Sequence, residues 1–253
     1  MGETRRLKLI VSYDGRDFAG WQSQKHGKTI QDELERTFSK IGGQRVAVIG
    51  AGRTDAGVHA LGQCAHSDVP AHKMPAAAWV AALNGTLPRS IRALRTRFVS
   101  NDFHARFSAR GKVYRYRIAN AAILSPFEIG RAWHIARPVN FDVLQEGAAL
   151  FLGRHDFAGF AANRDKVERD TVRTIRSIRI SSRGRIIALE ICGDGFLYKM
   201  VRMMVGALMR CASGKEPLEA IASRLQAASE APSGLVAPAE GLYLVRVRYG
   251  ALS

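Results

Sequence analysis

The segment from Val46 to His66 constrains this chain more than any other. Val46-Ala47-Val48-Ile49 is one apolar run and Leu61-Gly62-Gln63-Cys64-Ala65-His66 is a second. Between them lies Gly50-Ala51-Gly52-Arg53-Thr54-Asp55-Ala56-Gly57-Val58-His59-Ala60. Short apolar runs bounded by glycine read as buried strands. The residues between must then form a tight loop that presents Arg53 and Asp55 at a strand end. Glycine in such a loop permits positive φ and lets another backbone or a ligand approach closely. A plain turn whose aspartate bonds its own backbone uses the same residues, so the loop alone assigns Asp55 no role.

Composition narrows the partners. A chain of 253 residues, 47% hydrophobic and 24% charged, forms a substantial core in one large domain or two modest ones. No apolar run approaches the roughly 20 residues of a membrane helix. Met1 to Arg6 lacks the apolar core of a secretory signal. Lys and Arg number 38 against 22 Asp and Glu, a net charge of +16. A field of that sign favours a polyanion, and the predominance of arginine, whose planar fork suits phosphate and stacks on bases, favours nucleic acid. The cysteines, Cys64, Cys192 and Cys211, are odd in number and widely spaced. They give neither a disulfide framework nor a zinc signature, and a reduced, cytoplasmic setting is expected. The seven histidines are scattered and no metal site is read.

Along the chain, Arg6 to Tyr13 reads as a first strand ending at the turn Asp14-Gly15. Phe18 and Trp21 in the following loop are core plugs or base-stacking groups. Thr29 and Asp32 form a capping box, and Ile30, Leu34, Phe38 and Ile41 give helical spacing, with Glu33, Glu35 and Lys40 facing solvent. A second helix is expected over Pro75–Leu83, then a strand over Ile91–Val99. Gly111 to Ile118 alternates, with Val113, Arg115 and Arg117 on one side and Tyr114, Tyr116 and Ile118 on the other. From Arg89 to Arg117 there are eight arginines and one lysine against a single acid, Asp102. That stretch is the best candidate for a nucleic-acid surface. Asn120 to Pro138 has little periodicity and suggests a crossing segment. Helices are expected over Phe141–Phe151, capped by Asn140, over Phe196–Cys211 and over Glu216–Gln226. A hairpin is expected from Thr174–Ser181 and Arg185–Cys192, and a final strand from Leu242–Tyr249. Hairpins with separate helices predict an α+β fold, mixed but mostly antiparallel, in two similar halves.

Several chemistries have no sequence support. There is no Gly-x-x-x-x-Gly-Lys-Ser/Thr phosphate loop, no Gly-x-Ser-x-Gly elbow and no zinc deaminase signature. What remains is an aspartate in a glycine loop on a very basic chain. A carboxylate acts as nucleophile or base, and a neighbouring guanidinium favours the ionised form it needs.

Gly52-Arg53-Thr54-Asp55-Ala56-Gly57-Val58-His59-Ala60 resembles the signature of the TruA-type tRNA pseudouridine synthases. Tyr13-Asp14-Gly15, Gly20-Trp21-Gln22, Phe103 to Ala109, Tyr114-Arg115-Tyr116, Gly153 to Phe157, Met200-Val201-Arg202 and Ala237 to Leu244 extend the resemblance, in order, over nearly the whole chain. One departure is Gly195 to Lys199, where some relatives carry a different apolar-basic run. The resemblance implies isomerisation of uridine to pseudouridine at positions 38, 39 and 40 of the tRNA anticodon arm, without cofactor or metal. It implies that Asp55 is the nucleophile, at the ring or at the sugar. Tyr114 would pack on the target base, Arg53 would hold the place of the flipped-out nucleotide, and Arg202 would pair with the aspartate. It implies a pseudouridine synthase fold, with residues 1–120 as the half carrying the aspartate loop and 121–253 as the half completing the cleft. A homodimer cradling one tRNA is also implied. A non-enzymatic RNA-binding protein on the same scaffold, or a synthase for another RNA or position, would share most of these features.

Overall fold

The computed structural model describes residues 3–25, 27–71, 74–162, 170–226 and 236–250. In chain order the elements are β1 (Thr4–Tyr13), α1 (Ile30–Gly42), β2 (Ile49–Gly50), β3 (His59–Pro70), α2 (Ala78–Thr86), β4 (Ile91–Phe98), β5 (Gly111–Asn120) and β6 (Trp133–Ile135). Then follow α3 (Phe141–Ala149), β7 (Gly153–Asp156), β8 (Val172–Arg183), β9 (Ile186–Gly193), α4 (Met200–Ala212), α5 (Glu219–Gln226) and β10 (Leu242–Arg248). The fold is α+β with mostly antiparallel pairing, as the strand and helix patterns predicted; β3–β10 and β5–β6 pair in parallel. The chain divides into two compact units, residues 1–110 with 243–253, and residues 111–242.

In the first unit β1 lies between β3 and β4 and is antiparallel to both, while β10 runs alongside β3. Leu7, Leu9 and Val11 are fully buried on one face of β1. Burying each such side chain contributes about 1.5–3 kcal/mol. The capping box forms as predicted: the Thr29 hydroxyl accepts from the Asp32 amide, and α1 buries Ile30, Leu34 and Phe38. Phe38 meets Trp79 of α2 with ring centroids 5.5 Å apart. Asn84 fastens α2 to β4, donating to the Ala93 carbonyl and accepting from the Ala93 amide, both at 2.8 Å. On the opposite face of β1, Lys8 lies over the rings of Tyr249 and Phe103, at 3.8 and 4.8 Å. Arg6 forks onto Asp68 at 2.8 and 2.9 Å and also donates to the Asn101 and Phe103 carbonyls.

In the second unit β9 is the central strand, with β5 on one side and β8 on the other, and β7 extends the sheet beyond β8. Phe151, Phe157 and Phe160 are fully buried, so the aromatics of the stretch from Gly153 are core residues, although Gly153 and Arg154 are exposed. α4 packs on α3 closely enough that a Cβ on Gly147 would lie 2.9 Å from Leu208.

Several boundaries differ from expectation for identifiable reasons. Val46 and Val48 are buried, but the strand there is only Ile49–Gly50. The Val46 amide donates to the Ser39 hydroxyl and the Val48 amide to the Glu35 carboxylate, so side chains of α1 replace a strand partner. Glu35 therefore does not simply face solvent. Pro75 to Ala77 make i→i+3 bonds to Ala78, Trp79 and Val80, so α2 begins later than predicted. α4 begins at Met200 because Lys199 adopts φ 60°, which an L-residue cannot carry through a helix. The crossing segment contains the short strand β6. The polar segment before Asp170 and the Ala/Pro/Ser stretch after α5 fall largely outside the described residues.

His66 is buried, and its Nδ1 accepts the Ala105 amide at 3.1 Å. Burial first, then the charges of Arg6 and His104, lowers its pKa to about 4. The unfolded imidazole, titrating near 6.5, takes up the proton first. This contribution to stability is complete above pH 6.5 and is lost as pH falls toward 4. His66→Asn keeps an acceptor and removes the titration. Its melting temperature between pH 7 and 4.5 should fall less than that of the wild type, by the equivalent of roughly 2 kcal/mol.

Candidate active site

The loop carrying Arg53 and Asp55 joins β2 to β3, at the strand end where the glycine pattern places it. Its entry is fixed by strand pairing: Gly50 pairs with Ala65, and the Ala51 amide donates to the Cys64 carbonyl at 2.8 Å. Gln63, fully buried on β3, donates through Nε2 to the Gly52 carbonyl at 2.8 Å. A glutamine inside an apolar strand needs such a partner. Thr54 is buried, and its hydroxyl shares a 2.8 Å hydrogen bond with the Tyr13 hydroxyl. Burial raises the Tyr13 pKa far above its ordinary value, so the phenol stays neutral.

The segment after β1 packs against the loop backbone to backbone. The Trp21 amide donates to the Thr54 carbonyl at 3.0 Å, and the Gly57 amide to the Phe18 carbonyl at 3.4 Å. A Cβ on Gly20 would lie 2.5 Å from the Thr54 carbonyl oxygen, and one on Gly15 would lie 2.0 Å from that of Val58. Trp21 is buried, its indole 2.5 Å from where a Cβ on Gly50 would stand. Of the two roles open to Trp21, that of core plug is therefore the one it fills. At the loop's exit, His59 accepts the Gly15 amide through Nδ1 at 3.2 Å and stacks on Tyr243 at 4.5 Å. Asp14 lies 3.3 Å from the same nitrogen. Burial pushes the Asp14 carboxyl upward, but hydrogen bonds from Arg16 and the charges of His59 and Arg16 outweigh it, and its pKa is lowered.

Held in this frame, Asp55 is half-buried and its carbonyl accepts the Val58 amide at 3.1 Å. The Arg53 side chain is exposed and donates from Nε to the Gln22 amide oxygen at 3.1 Å. Tyr114 and Arg202 belong to the second unit. Tyr114 is buried on β5, opposite Ile191 of β9, and the Phe196 ring stands edge-on to it at 5.0 Å. Arg202 on α4 exchanges two bonds with the Ala237 backbone: its Nε donates to the carbonyl at 2.7 Å, and its own carbonyl accepts the Ala237 amide at 3.0 Å. The arginines of β5 are less available than the local count of acids suggests. Arg115 pairs with Glu190 and Arg117 with Glu128, both at 2.9 Å. Those acids come from other segments, which a tally along one stretch does not see. Sequence reasoning also missed the supporting side chains Tyr13, Gln22 and Gln63; the signal for Gln63 was a polar residue in a buried run.

Comparison with known proteins identifies the family. A family model described as tRNA pseudouridine synthase matches residues 9–108 and 148–250. Proteins named tRNA pseudouridine synthase A are similar over nearly their full length. That of Akkermansia muciniphila is 47% identical, covering 96% of this chain and 95% of the relative. That of Acetivibrio thermocellus is 42% identical, covering 97% and 100%. That of Halalkalibacterium halodurans is 41% identical, covering 94% and 90%. The chain belongs to the tRNA pseudouridine synthase family, and is an isomerase of that class.

The close approach at Gly20 sets a testable limit. Gly20 has φ +94° and no room for a methyl group. Gly20→Ala should destabilise the protein by about 2–3 kcal/mol, combining backbone strain with overpacking. Urea denaturation would record this as a lower midpoint.

Proposed function

We propose that this chain isomerises uridine to pseudouridine at positions 38, 39 and 40 of the tRNA anticodon arm, with Asp55 as the nucleophile. The observation that carries the reading is the half-buried Asp55 on a loop tied to buried scaffold on both sides of it, in a chain that matches the family nearly from end to end. The product differs from the substrate only in connectivity. The bond from the sugar C1′ to N1 breaks, the uracil turns, C5 bonds to C1′, and the C5 proton is replaced by one on N1. An ionised carboxylate starts this by attacking the ring or the sugar, and neither route needs a metal or cofactor.

Tyr114, Arg53 and Arg202 are the proposed substrate-binding side chains. A base in a stem must leave the stack before its glycosidic bond is reached, which costs a few kcal/mol. A tyrosine face returns about 1–3 kcal/mol by stacking, and a guanidinium suits the vacated place beside phosphates. The reading includes a homodimer, on resemblance alone, and a cytoplasmic setting, which the free and buried Cys64, Cys192 and Cys211 suit. Among the described residues no helix is long and apolar enough to cross a membrane.

Three measurements test this. Asp55→Ala should bind tRNA within a few-fold of wild type and form no detectable pseudouridine; full activity in that variant sinks the assignment, and mapping pseudouridine in tRNA from cells lacking the gene checks the positions. Tyr114→Phe should keep most activity and Tyr114→Ala should lose it, whereas equal losses would move the role from the ring to the hydroxyl. Affinity for tRNA should fall steeply between 50 and 200 mM salt, as counterion release requires, by about 10³-fold or more if at least six phosphates are contacted.

A further inference from the structure

We propose that Gln22, Gln31 and Glu35 are positioning residues that aim the Arg53 guanidinium through a hydrogen-bond relay of fixed polarity. The proposal rests on the functional reading above and deepens it. Arg53 Nε donates to Gln22 Oε1 at 3.1 Å, Gln22 Nε2 donates to Gln31 Oε1 at 2.8 Å, and Gln31 Nε2 donates to Glu35 Oε1 at 2.8 Å. Two backbone amides fasten the relay. Ser23 donates to Gln31 Oε1 at 3.1 Å and Val48 donates to Glu35 Oε1 at 3.0 Å.

The direction of every bond is dictated by its ends. A guanidinium only donates and an ionised carboxylate only accepts. With a donor at one end and an acceptor at the other, each glutamine between them has a single amide orientation that satisfies both neighbours. Reversing either places oxygen against oxygen or NH2 against NH2. An exposed arginine ordinarily samples many rotamers, and fixing one costs side-chain entropy. The relay meets part of that cost by presenting one acceptor to Nε, a bond that uses none of the donors on the two terminal nitrogens. Those nitrogens are thereby held in a set direction for phosphate or for the space left by a flipped base.

The relay also explains two residues that helix formation does not require. Gln31 and Glu35 are four apart on α1, the spacing at which side chains meet. Both are half-buried beside the loop segment, although the polar side of an amphipathic helix ordinarily points into solvent. Gln22 follows the buried Trp21, whose amide and carbonyl bond to Thr54 and Gln31, so the backbone that carries its side chain is held in place.

Gln31→Leu tests the proposal without touching Arg53, breaking the relay at its middle. In the full-length protein the Arg53 Nε–H, followed by ¹⁵N-resolved NMR, should exchange with water at least about fivefold faster, since one protecting hydrogen bond is loosened. Single-turnover pseudouridine formation should slow by about tenfold, the scale of one hydrogen bond to a charged group, with the tRNA Kd changed less than about twofold. Glu35→Gln, which keeps an acceptor, should lose much less than Glu35→Leu. Combined with Arg53→Ala, Gln31→Leu should cause no further slowing, because the group it aims is gone. An unchanged Arg53 Nε–H signal, or full additivity with Arg53→Ala, overturns the proposal. If Gln31→Leu does not fold, Gln22→Ala gives the same readouts by removing the acceptor of Arg53 Nε itself. If the wild type forms no pseudouridine, the functional reading fails while the exchange measurement still decides the relay.

Discussion

The aspartate loop depends on one contact between backbones. Gly20 and Gly15 bring the segment after β1 so close to Thr54 and Val58 that no side chain fits between. This close packing allows the Trp21 amide to reach the Thr54 carbonyl and the Gly57 amide to reach the Phe18 carbonyl. Cores packed at crystal density move as units, so the loop inherits the rigidity of β1 and β3. The buried hydroxyl pair of Tyr13 and Thr54, and the Gln63 amide on Gly52, extend the same support to the residues on either side of Arg53. The nucleophilic role proposed for Asp55 would require this, because misplacement by about 1 Å costs on the order of a hundredfold in rate.

Charge is distributed by a second rule. The chain is strongly cationic, yet its arginines do three different jobs. Arg6, Arg115 and Arg117 are consumed in pairs with Asp68, Glu190 and Glu128, stitching segments distant in sequence. Arg202 is engaged with a backbone carbonyl. Arg53 bonds to a neutral amide, which orients the guanidinium without neutralising it. A net charge therefore overstates the surface left for a polyanion, and the partners of each arginine must be known before any is assigned to RNA.

The sequence revealed the fold class, most helices and the location of the loop, because local rules govern them. The Thr29 capping box, the Asn140 cap and the alternation along β5 and β9 are all decided within a few residues. Shortened elements escaped notice where a distant group intervened. Val46 to Val48 read as strand because burial was legible, whereas the amides of Val46 and Val48 find their partners on α1. The start of α4 was misjudged because an apolar run does not announce a residue at φ 60°. Of the proposed site residues, Arg53 and Asp55 are legible from loop chemistry, whereas Tyr114 and Arg202 are proposed through family resemblance. Gln22, Gln31 and Glu35 were not visible as a group, since a relay joining a loop to one face of a helix has no signature along the chain.

The stack of His59 on Tyr243 has a consequence for the order in which this protein is made. The first unit is discontinuous: residues 1–110 are completed by residues from 243 onward, after the whole of the second unit. The loop ends on a histidine whose ring rests on a tyrosine synthesised some 180 residues later, and β3 gains its parallel neighbour in the same step. During translation the aspartate loop thus waits, without this support, while the intervening unit emerges. β10 acts as a latch: the support that Tyr243 gives His59 reaches the aspartate loop only after the intervening unit has been synthesised.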